Sequence, residues 1–217
     1  MANNIVGYIG IENFEMLLYL ARILNKLRRK VLLIDLTAEK DLSSCIPVPA
    51  GLDPIDDIIS YYGVDFTEKV ASPDLFNEYD DVLISFGFNA SAAIQYCSKV
   101  VYTVNQMLHN INRLASLDPI AGKKKYLIIK DMVNSKITPE YIIDCLKIPF
   151  EPEHIITLDF DEIDMRYKIL AQHDSVYQFR RITKKAKRYL ITTVKELYPE
   201  VPDKELREAY WLAERGR

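Results

Sequence analysis

Short apolar, β-rich runs alternating with stretches of helical periodicity predict a doubly wound α/β fold, a mostly parallel sheet with helices on both faces. Three observations carry this reading. Val31 to Leu36 is apolar but for Asp35, as a strand covered on both faces should be. It directly follows Phe14 to Leu27, in which Leu17, Leu20, Ala21, Leu24 and Leu27 recur at helical spacing. The strand-and-helix unit then repeats along the chain, until beyond Asp161 the pattern turns wholly helical.

Taken in order, Ile5 to Ile9 is the first strand and 14–27 the first helix. Arg28-Arg29-Lys30 ends that helix with cations suited to its negative dipole end, and Val31 to Leu36 is the second strand. Between Leu42 and Asn77, Pro47, Pro49, Pro54 and Pro73 break the regularity, so short helices and loops are expected. Strands are then predicted at Asp80 to Ser85, Lys99 to Val104, Lys125 to Lys130 and His154 to Leu158. Helices at Ala90 to Cys97, Met107 to Leu117 and Pro139 to Leu146 fall between them. The helical C-terminus comprises Asp161 to Gln172, Tyr177 to Leu197, and Lys204 to Arg215 after a Pro202-Asp203 start signal. Residues 1–200 are expected to form one α/β domain, and 201–217 a C-terminal amphipathic helix.

With 49% apolar and 27% charged residues, the 217-residue chain has a globular composition, which excludes disorder as its main state. A net charge of −3 excludes polyanion binding by bulk attraction. Cys45, Cys97 and Cys145 form no CxxC pair, and no signal peptide is read at the N-terminus, so a cytoplasmic protein with reduced core thiols is expected. The apolar stretch Met16 to Leu24 is interrupted by Arg22 and is too short to span a bilayer. His109, His154 and His173 are isolated, so no metal site is predicted. No G-x-S-x-G elbow is present, and no G-x-G-x-x-G follows a strand.

Ligands of open parallel sheets sit beyond the carboxyl ends of the strands, so the loops after Ile9, Leu36, Ser85, Val104 and Lys130 are the places to search. The run Tyr19 to Leu36 joins an apolar helix, a basic turn and the strand Val31-Leu32-Leu33-Ile34-Asp35-Leu36. With Glu78 to Ser85 and Ser98 to Val104, it resembles the MinD/ParA family of deviant P-loop ATPases, which includes the TadZ/CpaE-like proteins of pilus assembly. The resemblance covers about nine tenths of the chain, Ile5 to about Leu197, mainly as pattern.

It implies a P-loop NTPase-like fold, a nucleotide site at the first loop, and a homodimer formed face to face across that site. Carried onto this sequence, the signature lysine falls at Tyr8, and the Lys-Thr pair that holds phosphates and Mg²⁺ falls at Asn13 and Phe14. Gly10 is kept, but Glu12 would set a carboxylate where phosphate charge belongs. Asp35 matches the first acidic residue after the second strand, whereas the second, usually catalytic, position is Thr37. Ser85 stands where an aspartate would hold Mg²⁺ through water, and the neighbouring Asp80 and Asp81 are expected to face solvent. No catalytic residue is therefore assigned.

The reading is a catalytically inactive MinD/ParA-like scaffold or spatial-positioning protein without a cofactor, acting with protein partners as a homodimer. The resemblance points it to pilus or secretion-system assembly. Tyr8, Ile9, Ile11 and Phe14 would either fill the vacated cavity or form the contact between subunits. The alternatives are an unusual ATPase using ATP and Mg²⁺, with Asp35 on the metal and a lysine supplied by Lys130 or a partner, and a DNA-binding partition accessory. The last rests on Arg180, Arg181, Lys184, Lys185, Lys187 and Arg188, six cations in nine residues. A solvated helix face pairing with the acidic stretch Asp159 to Asp164 is the preferred reading of that run, so nucleic acid is not favoured. At the C-terminus, Leu206, Ala209, Tyr210 and Ala213 share a face beside the single Trp211. Balanced charges there favour docking on the body, a second subunit or a partner over membrane insertion.

Overall fold

Alternate side chains of β1 (Asn4–Gly10) enter two different cores, which is why the run is apolar after Asn4. Val6 and Tyr8 join the cluster beneath α1 (Phe14–Lys26), whereas Ile5 and Ile9 join the opposite one. In β2 (Val31–Asp35), Leu33 takes the first side, and Leu32 and Ile34 the second. The structure is a computed structural model describing residues 4–70, 72–89, 91–117, 120–175 and 178–216. The sheet is completed by β3 (Ile59–Tyr61), β4 (Val64–Thr67), β5 (Asp81–Gly87), β6 (Lys99–Val104), β7 (Lys124–Met132) and β8 (Ile155–Asp159). Its order is β3-β4-β2-β5-β1-β6-β7-β8, with every pairing parallel except β3 with β4. The doubly wound, mostly parallel sheet with a helical C-terminus expected from the sequence is the fold observed.

Helices α2 (Leu108–Ala115) and α3 (Pro139–Leu146) cover one face through Ile111, Leu114, Ile142 and Leu146. On the other face α1 lies beneath α5 (Lys184–Leu197) and α6 (Asp203–Arg215), so its residues 14 to 24 are buried all round. Leu206, Ala209 and Ala213 of α6 are buried, and α6 packs against α1. Helix α4 (Glu162–Asp174) follows β8 and packs against the turn at Ser43–Cys45, so it crosses the carboxyl edge of the sheet. Among the described residues no helix is long and apolar enough to cross a membrane.

Four local expectations are corrected. The segment 42–77 contains a β-hairpin, with β3 and β4 joined by Tyr62-Gly63, both at positive φ (51° and 77°), as a tight hairpin turn requires. Residues 92–96 form a short 3₁₀ turn rather than the predicted helix, whose start at Ala90 lies outside the described residues. Helix α5 begins at Lys184, not at Tyr177, which also lies outside the described residues. Its start is fixed by Thr183, whose side chain accepts from Ala186 N–H (3.2 Å) and whose N–H and hydroxyl donate to Asp164 (2.7 and 2.6 Å). Asp81 is fully buried instead of solvent-facing, because the Arg29 guanidinium from the helix-to-strand turn grips its carboxylate, Nη2 to Oδ1 at 3.0 Å. Asp80 is exposed and accepts Lys30 N–H at 2.8 Å.

Candidate functional site

Strand β1 lies between β5 and β6, and the connections from β1 and β6 leave in opposite directions, to β2 and to β7. That switch point puts the crevice of the fold at the carboxyl ends of β1 and β6. Gly10 ends β1 with φ +118°, and a Cβ added there would lie 1.9 Å from the Thr103 carbonyl oxygen of β6. The close approach of two strands therefore demands this glycine. The Ile11 N–H donates to the same carbonyl at 3.1 Å and so points into the sheet rather than the crevice.

Helix α1 starts without a side-chain cap: the Asn13 amide is 3% exposed and has no hydrogen-bond partner among the described residues. Phe14 is packed inside, with the Lys168 ammonium 5.3 Å from its ring centre. Glu15, in the first turn, brings a carboxylate to the positive end of the helix dipole. Lys130, at 2% exposure, reaches it from β7 with Nζ 2.5 Å from Oε1, and also donates to the Glu12 carbonyl at 3.3 Å. Lys168 of α4 closes the cluster, 2.9 Å from Glu12 Oε1 and 3.8 Å from Glu15 Oε1. Burial pushes the Glu15 carboxyl up, but the Lys130 and Lys168 charges outweigh it and hold the group below its ordinary value. Burial likewise opposes the charge on Lys168, and Glu15 and Glu12 overcome it, raising that ammonium well above its ordinary range. The space left between α1, α4, α5 and the ends of β7 and β8 is about 30 Å³, room for one water.

Asp35 is fully buried and turned inward. Its carboxylate accepts from Thr37 N–H (2.9 Å) and hydroxyl (2.6 Å), from the N–H groups of Leu42 and Ser43 (both 3.0 Å), and from the Ser43 hydroxyl (3.2 Å). Five donors from its own loop leave little of this carboxylate for a metal. Thr37 is spent on the same cap, and Ser85 sits beside Asp35 in the sheet register, also buried. Nearby, burial first and then Glu12, Asp35 and Glu39 raise the Asp41 carboxyl above its ordinary value. A triphosphate with magnesium does not fit these residues. The loop offers no inward ammonium free of a carboxylate, the helix head is already taken by Glu15, and Asp35 is engaged. Among the described residues no three His, Cys, Asp or Glu side chains gather in a metal-binding arrangement. Cys45 and Cys97 are buried, and burial pushes the Cys97 thiol up to about 12.

The cations of the basic run are divided between α5 and the turn before it. Lys185 pairs with Asp159 at 2.9 Å and Lys187 with Glu214 at 2.5 Å, while Lys184 and Arg188 are exposed. Arg180 and Arg181 stand in the turn before α5 and line a separate cleft. Sequence reasoning missed Glu15 and Lys168. The signal available was a lysine closing the buried strand Tyr126-Leu127-Ile128-Ile129-Lys130, which must find a carboxylate somewhere. Glu12 itself is about two fifths exposed and turns outward to Lys168.

The eight-stranded, mostly parallel sheet, its helices on both faces and the helical C-terminus match the P-loop NTPase-like fold of MinD/ParA structures. The sequence matches no protein-family model and no curated protein. Among solved structures, the chain is similar to MinD in the Aquifex aeolicus MinC:MinD cell division complex, with a TM-score of 0.64 and 16% identity over 92% of this chain and 97% of that one. A ParA family ATPase from Chlorobium tepidum aligns with a TM-score of 0.53 and 12% identity over 98% of both chains. A Cyanothece McdA variant in complex with ATP aligns with a TM-score of 0.55 and 12% identity over 100% of this chain and 96% of that one. At these identities the likeness is one of fold.

Proposed function

We propose that this chain is a nucleotide-independent scaffold or spatial-positioning protein, a pseudo-ATPase in which the nucleotide site of the fold has become packed structure. One observation carries the reading: the buried Lys130–Glu15 pair puts the chain's own carboxylate and ammonium at the head of α1. A P-loop protein keeps that helix terminus for phosphate. MgATP is therefore expected to bind no tighter than about millimolar, near −4 kcal/mol, in calorimetry. Micromolar binding would reject the proposal and promote the ATPase alternative, with Lys130 as the borrowed lysine.

Self-association is assigned to the carboxyl edge of the sheet. Tyr8, Ile9, Ile11 and Phe14 are all buried within one chain, Tyr8 and Phe14 in one core and Ile9 in the opposite one, which favours internal packing over a subunit contact for them. Exposed instead are Met107 and Leu108 after β6, Val133 after β7, and Phe160 and Ile163 after β8, an apolar row along that edge. A nucleotide-free dimer at tens of micromolar (about −6 kcal/mol) is expected by light scattering, with Leu108→Glu giving a folded monomer. A monomeric wild type would remove the dimer from the proposal.

The similar MinD structure holds MinC, and a scaffold of this fold would likewise present a surface to a protein partner. Pilus or secretion-system assembly in the cytoplasm is the setting that the sequence resemblance supports. Co-purification with components of such a machine is the expected result. The DNA-accessory alternative is weakened because Lys185 and Lys187 are already paired.

A further inference from the structure

Arg22 has no place in the reading above. It projects from the middle of the buried helix α1, is 8% exposed, and its Nε has no hydrogen-bond partner among the described residues. Its guanidinium lies 4.7 Å from the Tyr62 ring centre, a contact that does not replace an anion. Burial pulls its pKa below the ordinary arginine value, with Tyr62, Tyr61 and Tyr19 opposing. An interior guanidinium with five donors in a rigid fork normally faces a carboxylate or phosphate.

What Arg22 faces is a cleft of about 620 Å³ between the β3–β4 turn, the turn at 178–181 and the end of α6. Small-molecule sites commonly span about 300–1,000 Å³. Arg180, Arg181 and Arg215 surround it, all exposed. Among the described residues its one lining carboxylate is Glu214, held by Lys187 at 2.5 Å. Among the described residues, four arginines against one neutralised glutamate, in a chain of net charge −3, make this a local excess of positive charge. The C-terminal end of α6 adds partial negative charge beside Arg22, where a Cβ on Gly216 would lie 3.4 Å from Nη2.

We propose that this cleft binds a small molecule carrying two or more phosphate groups, with Arg22 as the buried anchor and Arg180, Arg181 and Arg215 around the mouth. Paired N–H forks match phosphate oxygens, and several phosphates are needed to engage arginines on three sides. A duplex backbone is disfavoured because Arg22 lies inside the cleft rather than on the surface.

The site is distinct from the crevice at β1, so the test uses tripolyphosphate in magnesium-free, EDTA-containing buffer. Calorimetry is expected to show binding to the wild type, with a rise in its melting temperature. Arg22→Met should bind at least about tenfold more weakly and melt no lower than the wild type, because it removes a buried charge that has no carboxylate partner to orphan among the described residues. Arg181→Gln, a surface change, should weaken binding while leaving the fold intact. Any of four results overturns the proposal: no heat at millimolar tripolyphosphate, Arg22→Met binding as tightly as wild type, orthophosphate binding as tightly as tripolyphosphate, or random duplex displacing tripolyphosphate equally from wild type and Arg22→Met.

Discussion

Lys130→Met is expected to lower the unfolding free energy by about 3–5 kcal/mol, because it leaves Glu15 charged and buried with only Lys168 at 3.8 Å to answer it. Part of the cost should be recoverable: replacing both partners, Lys130→Met with Glu15→Leu, substitutes apolar packing for the ion pair and should return stability to near the wild-type value. The pH dependence separates the two. In the wild type the Glu15 carboxyl lies below its ordinary value of 4.5. Its contribution is therefore fully present above that pH and lost as pH falls through the lower folded value. In Lys130→Met the carboxyl should instead be raised, so the variant's deficit narrows on acidification from neutral pH. Urea unfolding at pH 7 and pH 5 for the three proteins measures both effects. A loss under about 1 kcal/mol at pH 7 would show that water screens the pair and that the crevice is open.

The strands that organise the sheet were legible because burial on both faces writes a continuous apolar run: Val31 to Asp35 and Lys99 to Val104 fall where the sequence places them. Strands β3 and β4 were not. They are three and four residues long, their pairing is antiparallel at the sheet edge, and Tyr62-Gly63 lacks the usual Asn-Gly or Asp-Gly signature. The site divides in the same way. The loop Gly10 to Phe14 and the position of Asp35 could be found from the neighbouring periodic elements. The ion pair that fills the crevice could not, since Glu15 and Lys130 are 115 residues apart and neither is unusual in its own neighbourhood. Asp81 escaped for the same reason, its partner Arg29 lying 52 residues away. Buried charges are specified by tertiary pairing, and local pattern records only that an ionic residue sits in apolar company. Arg22 within Met16 to Leu24 is such a record, visible in the sequence as an interruption of an apolar stretch.

Phe14→Asp is expected to unfold the protein rather than dissociate it. The ring is 2% exposed and belongs to the core beneath the sheet, at the position where the family resemblance places a metal-binding hydroxyl. Removing a buried phenylalanine costs about 3–5 kcal/mol. The new carboxylate would also enter next to Glu15, whose charge it repels, and would compete for Lys130 and Lys168, which are already engaged. The sum approaches the entire stability of a typical domain, about 5–15 kcal/mol. Near-UV circular dichroism at 25 °C should therefore report loss of fixed tertiary packing. Leu108→Glu, placed on a side chain 62% exposed at the sheet edge, should retain it and change only the molecular mass. A folded Phe14→Asp with an unaltered urea midpoint and a halved mass would place Phe14 in the subunit contact, and the account of a crevice filled from within one chain would fall with it.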